Sequence, residues 1–170
     1  MNLWQFFTNK EEQNNPNFNT IYQEVQKSFP DYDDDQLARI VAISSMMSRV
    51  AYADLDICKK EQVKMSESVH KWFEFSKDES QKLIELVVKY TKVLSGIENH
   101  LYARELNQSL SKPEKIKLLN TLFAIAASDD SVTTIEENEI YNITTELLLT
   151  KKEYVQAKMT VLDFLAALKK

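Results

Sequence analysis

The chain has 170 residues, 21 Lys and Arg against 26 Asp and Glu, and a formal net charge of −5. That length suits one domain with a real core, and the acidic balance argues against a nucleic-acid partner, since no Lys/Arg stripe stands out in the sequence to displace phosphate counterions. One Gly and three Pro disfavour a many-turned β architecture, and a single Cys, Cys58, rules out an intrachain disulfide framework and fits a reducing compartment.

Leu3, Trp4, Phe6 and Phe7 form an aromatic cluster ahead of the Asn-rich stretch 14–19, and residues 1–17 read as an N-terminal arm. Such an arm docks on the core or anchors to a partner or membrane interface; the absence of a basic polar face argues against the membrane. The start lacks a basic n-region and a long apolar segment, so no secretory signal is expected and the chain is placed in the cytoplasm. No apolar run approaches the roughly 20 residues of a membrane helix.

Phe18, Ile21, Tyr22, Val25 and Phe29 keep helical spacing up to Pro30. The acids of Asp31–Asp35 are expected to cap the next helix rather than to bind a cation, because carboxylates favour the positive end of a helix dipole. That helix, about 35–53, carries Leu37, Ile40, Val41, Ile43, Met46, Met47 and Val50 on more than one stripe, so it belongs near the centre. Lys59–Phe75 follows with Met65, Val69, Trp72 and Phe73 on one side, and His70 beside that stripe reads as a boundary residue. Ser76 and Glu79 form a capping-box pattern, Leu83, Ile84, Val87, Tyr90 and Leu94 give an inner face, and Gly96 is the natural stop. A shorter polar helix, about 97–110, is followed by Ser111-Lys-Pro-Glu114. The helix carrying Ile116, Leu118, Leu119, Leu122, Phe123, Ile125 and Ala126 is expected to be the most buried of all. The chain then continues through Ile140, Ile143 and Leu147 to a last helix capped by Thr150 and Glu153. There Val155, Met159, Leu162, Leu165 and Leu168 are expected to complete the core. No strand alternation occurs, and the prediction is an all-α bundle of about seven to eight helices spanning 18–170.

The sequence also repeats. At an offset of 75, Met47 falls on Leu122, Val50 on Ile125, Ala51 on Ala126, Asp54 on Asp129, Ile57 on Val132 and Glu61 on Glu136. Ser76 and Glu79 return as Thr150 and Glu153 one residue earlier, giving repeat halves of about 37–95 and 113–168 and a pseudo-two-fold arrangement of helix–turn–helix units.

Both copies thus read as apolar helix, Ala-x-x-Asp, two residues, an aliphatic, three residues, Glu, and a second helix. This pairing resembles the tellurite-resistance TerB family, through Ala51, Asp54, Ile57 and Glu61, then Ala126, Asp129, Val132 and Glu136, over about 37–162. The resemblance implies an all-α domain, carboxylate sites able to take divalent cations, and a role linked to stress or metal-oxyanion resistance without catalysis. The family's turn usually reads Asp-Gly; here Leu55 and Asp130 hold the glycine's place. Asp tolerates a left-handed backbone and Leu does not, so the first turn is expected to take a different shape.

The candidate metal ligands are Asp54, Asp56, Glu61, Asp129, Asp130 and Glu136. Carboxylates without His or thiolate company favour Ca²⁺ or another hard divalent cation, although the spacing is not that of an EF-hand loop. The competing reading is local: Thr133 and Glu136 form a capping box, whereas Glu61 has only Cys58 at its cap and is expected to cap more weakly. Asp129 lies against the dipole of the helix it ends, so it needs an N–H or a cation. Cys58 reads as a replaceable cap residue or as a thiol acidified by Lys59, Lys60 and a helix N-terminus. No Gly-rich phosphate loop, His-x-x-x-His or recognisable nucleophile occurs, so no enzyme is expected. Two functions remain: a cation-responsive accessory protein of a stress system, or a metal-free module that docks a protein partner.

Overall fold

The computed structural model describes residues 16–94 and 99–168, and over them the chain is all-α. The helices are α1 (Pro16–Ser28), α2 (Asp34–Ala51), α3 (Lys59–Phe73), α4 (Lys77–Leu94), α5 (Asn99–Ser109), α6 (Lys112–Ala126), α7 (Thr134–Glu146) and α8 (Lys151–Leu168). Leu3, Trp4, Phe6, Phe7 and Gly96 lie outside the described residues. No helix among the described residues is long and apolar enough to cross a membrane.

The boundaries follow local chemistry. Asp33 starts α2 by accepting from Gln36 N at 2.8 Å, and the Gln36 side chain accepts from Asp33 N in return. The acidic run therefore caps, as expected. Ser76 with Glu79 and Thr150 with Glu153 repeat the reciprocal pattern, and Glu114 accepts from the N–H and hydroxyl of Ser111. Each such cap satisfies helix N–H groups that have no partner within the helix.

α2 is the centre of the bundle, packed by α4, α5, α6, α7, α3 and α1. It buries thirteen of its eighteen residues, whereas α6 buries six of fifteen, so the expectation that α6 is the most buried helix is corrected. The reason lies in composition: α6 carries Lys117, Asn120 and Thr121 on a face that α2 fills with Ala42, Ser45 and Met46. Leu122 and Phe123 are nonetheless fully buried. Phe29 stacks on Phe75 at 5.2 Å between ring centroids, Tyr32 meets both rings, and this cluster closes the α1–α2 turn over the end of α3.

A second correction falls on α8. Val155, Met159 and Leu162 are exposed, and Ala157, Tyr154 and Val161 face the core instead. Phe123 and Tyr154 lie 5.4 Å apart, with Tyr141 against Tyr154, so an aromatic contact from α6 and α7 sets the rotation of α8.

Helix pairing follows the duplication. α4 packs on α2 as α8 packs on α6, and α3 packs on α6 as α7 packs on α2. Four non-glycine residues have positive φ among the described residues, and they too fall into pairs: Leu55 (71°) with Asp130 (73°), Glu74 (57°) with Leu148 (58°). The expectation of a different first turn is thereby overturned. Leu55 takes the left-handed bend that the turn requires, and its side chain points to solvent with 73% exposure, so the steric cost falls on its backbone alone.

Candidate functional site: two acidic turns at one pole

Each turn lies between a helix end and a capping box. In the first, Asp54 follows α2 and accepts from Asp56 N at 3.1 Å; in the second, Asp129 ends a short 3₁₀ turn after α6 and accepts from Ser131 N at 3.2 Å. Both aspartates thus find the local N–H that their place against the helix dipole calls for. The glutamates close the other side. Glu61 accepts from Cys58 N at 2.7 Å, and Glu136 accepts from Thr133 N at 2.7 Å. The Cys58 sulfur receives Glu61 N at 3.4 Å, so Glu61 belongs to a full reciprocal cap rather than to the weaker one expected.

The thiol is not acidified. Burial raises the Cys58 pKa, and the Glu61 carboxylate beside it pushes the same way, against the backbone N–H groups of Glu61 and Lys60. Lys59 and Lys60 are exposed, and Lys60 pairs with Asp130. Cys58 is a cap residue.

The two turns converge. α3 packs against the 127–129 turn, and Lys60 of α3 reaches Asp130 of the second copy at 3.5 Å. Glu61 and Glu136 are both buried, and burial is the main reason that both carboxyls are held above the usual range. Their cap bonds pull the other way. Glu136 and Asp54 add to the rise at Glu61, while Asp129 and Asp54 add to the rise at Glu136. Asp54, Glu61, Asp129 and Glu136 therefore share one field. Asp56 and Asp130 stand apart from it: the first accepts from Ile57 N at 2.9 Å and the second pairs with Lys60, both exposed.

As a cation site the fit is partial. Among the described residues, no three His, Cys, Asp or Glu side chains stand together in a metal-ligating arrangement. The donor set is nonetheless all oxygen, and each buried glutamate uses only its Oε2 in the cap. A cation would be held by Oε1 of Glu61 and Glu136 with a carboxylate of Asp54 or Asp129.

One prominent ionic feature is not apparent in the repeat. Arg49 of α2 reaches Glu139 and Glu146 of α7, contacting both Glu146 oxygens at 2.6 and 2.9 Å, with 11% of its side chain exposed. Hydrogen bonds and attraction from both glutamates hold its pKa up against the opposing effect of burial. The signal in the sequence is a charged Arg inside a run of apolar and small residues, Met46-Met47-Ser48-Arg49-Val50.

No match was found for this chain among curated proteins or among solved structures. A family model described as tellurite resistance protein TerB matches residues 40–159, which takes in both turns and the helices on either side of them. With the paired Asp…Glu turns, their shared pole and the repeated helix order on the same stretch, the chain belongs to the TerB family.

Proposed function

We propose that this TerB protein is a non-catalytic accessory protein of a tellurite- or stress-resistance system, and that its acidic pole takes up a divalent cation, Ca²⁺ by the oxygen chemistry of its ligands. The observation that carries this reading is the crowding of like charge at the pole: Glu136 and Asp54 act on the buried Glu61, and Asp129 and Asp54 act on the buried Glu136. Two buried carboxylates from different repeats, with Asp54 near both, stand in a field that a cation relieves. Uptake would require the turns to close on the ion, since these carboxylates form no ligating group among the described residues.

The test is a calcium titration followed by thermal melting. Binding at a hundredfold excess over Kd stabilises a native state by about 2.7 kcal/mol. Asp129→Asn is expected to remove most of that rise. A melt unchanged by millimolar calcium would overturn the cation reading.

A second reading, a metal-free module that docks a protein partner, is favoured by the completeness of the caps, since Asp54, Glu61, Asp129 and Glu136 each already accept a local N–H. It expects no calcium response, with stability lost in variants that break either cap, Glu136→Ala and Thr133→Ala in one turn and Glu61→Ala in the other.

A further inference from the structure

The duplication makes each half a template for the other. In one half, α5 packs chiefly on α2, where Arg39 donates to the Ser109 carbonyl, and Asn107 of α5 donates to the Glu146 carbonyl of α7 at 2.8 Å. Ala38, Val41, Ala42 and Ser45 of α2 are buried, and Arg49 is closed by its two glutamates.

Carried over by 75 positions, that face of α2 becomes Pro113, Ile116, Lys117 and Asn120 of α6, and it lies open. Arg49 becomes Ala124, while Glu139 and Glu146 become Lys64 and Lys71 of α3. The clamp is thus replaced by its inverse, a small residue facing two lysines. Between α3 and α6 this leaves a hollow of about 430 Å³, with Ile116 and Ala124 on one side and Trp72 on the other. It runs on past Val63 and Lys60 into a second hollow of about 730 Å³. Lys117 lies over the Trp72 ring at 4.1 Å, and the Trp72 indole N–H donates to Thr121 across the cleft at 3.3 Å. No helix among the described residues covers this cleft as α5 covers its counterpart.

We propose that the α3–α6 cleft is the seat of an acidic amphipathic helix from a protein partner, lying where α5 lies on the other half. Its lining holds Lys59, Lys60, Lys64, Lys71 and Lys117 against Glu67 and Asp130, a surplus of three positive charges in a chain of net charge −5. The pairs Lys64–Glu67, at 3.7 Å, and Lys60–Asp130, at 3.5 Å, join solvent-accessible groups, so an incoming carboxylate displaces them at little cost. The apolar floor takes the partner's apolar stripe, as in helix-in-groove recognition, and the lysines select its acidic flanks. This inference is independent of the acidic pole and of its cation.

The test uses the isotope-labelled full chain and a short helical peptide with a leucine stripe flanked by glutamates, against the same peptide with lysines for glutamates. Saturable shifts at the Trp72 indole and the Ala124 methyl are expected with the acidic peptide and not with the basic one. Reversing two interfacial charges, Lys64→Glu with Lys71→Glu, is expected to weaken binding by roughly tenfold or more. Both sites are solvent-accessible, so the melting temperature is expected to be unchanged. Equal binding of the two peptides would overturn the proposal. So would shifts confined to the exposed Met159 and Leu162 of α8, tighter binding of an oligonucleotide, or dimerisation through this face.

Discussion

Leu55 and Asp130 occupy the same place in the two repeats and bend the backbone the same way, with φ of 71° and 73°. One carries a branched apolar side chain and the other a short polar one, so the turn shape is imposed by what surrounds it. Leu is held there by the capped helix on one side and the Asp54–Asp56 hydrogen bond on the other.

Releasing that strain is expected to stabilise the protein. A left-handed backbone costs an L-residue about 1–2 kcal/mol, while Gly gives back about 0.5–1 kcal/mol through its freedom in the unfolded chain. Leu55→Gly, which loses little packing, should raise the melting temperature by about 2–4 °C for each kcal/mol of net gain. A fall on differential scanning calorimetry would show that Leu55 makes contacts that matter.

Phe123, fully buried against Tyr154, tests the core. Phe123→Ala should destabilise by about 3–5 kcal/mol in chemical denaturation, the usual range for an aromatic cavity.

Glu105 of α5 gives the bundle a pH dependence. It is 4% exposed, its Oε1 has no hydrogen-bond partner among the described residues, and burial raises its pKa to about 7, with Asp35 adding to the rise and Ser109 and Arg39 opposing it. A carboxyl with a raised folded-state pKa holds its proton longer in the native state. Its contribution is therefore fully present below the unfolded value of 4.5 and is lost as pH rises through about 7. Glu105→Gln should flatten that part of the stability profile and make the variant more stable than wild type at pH 8. A profile unchanged between pH 5 and 8 would show that Glu105 is not the group responsible.

The Arg49 clamp is expected to couple the two halves. A double-mutant cycle of Arg49→Met with Glu146→Gln should give about 1.5–3 kcal/mol, the range for hydrogen bonds to charged groups. An exposed pair would give less than about 1 kcal/mol.

Elements with local causes can be read directly from the chain. The capping pairs, Pro30 as a stop, and the inner faces of α1, α4 and α7 follow from residues within a turn or two of each other. The rotation of α8 is not legible in this way, because Val155, Met159 and Leu162 make as good an apolar stripe as Tyr154, Ala157 and Val161. The choice belongs to Phe123 and Tyr141 on other helices. Arg49 and its glutamates are 90 and 97 positions apart, beyond the reach of any periodicity. At the acidic pole the residues are visible in the sequence and their convergence is not, since Lys60 meets Asp130 only once α3 has docked on the second repeat. The basic cleft is hidden by a net charge that sums over the whole surface.

The central place of α2 bears on how the chain comes apart. Its apolar residues are shared out among helices of both repeats, so neither repeat owns a complete interior. A protease cut between α4 and α5 would leave an N-terminal fragment in which α2 is stripped of α5, α6 and α7, and a C-terminal fragment without the surface against which α5 and α7 are laid. Partial opening of one repeat thus strips the other, and the slowest-exchanging amides of α2, α6 and α7 should be released together, in one foldon rather than two.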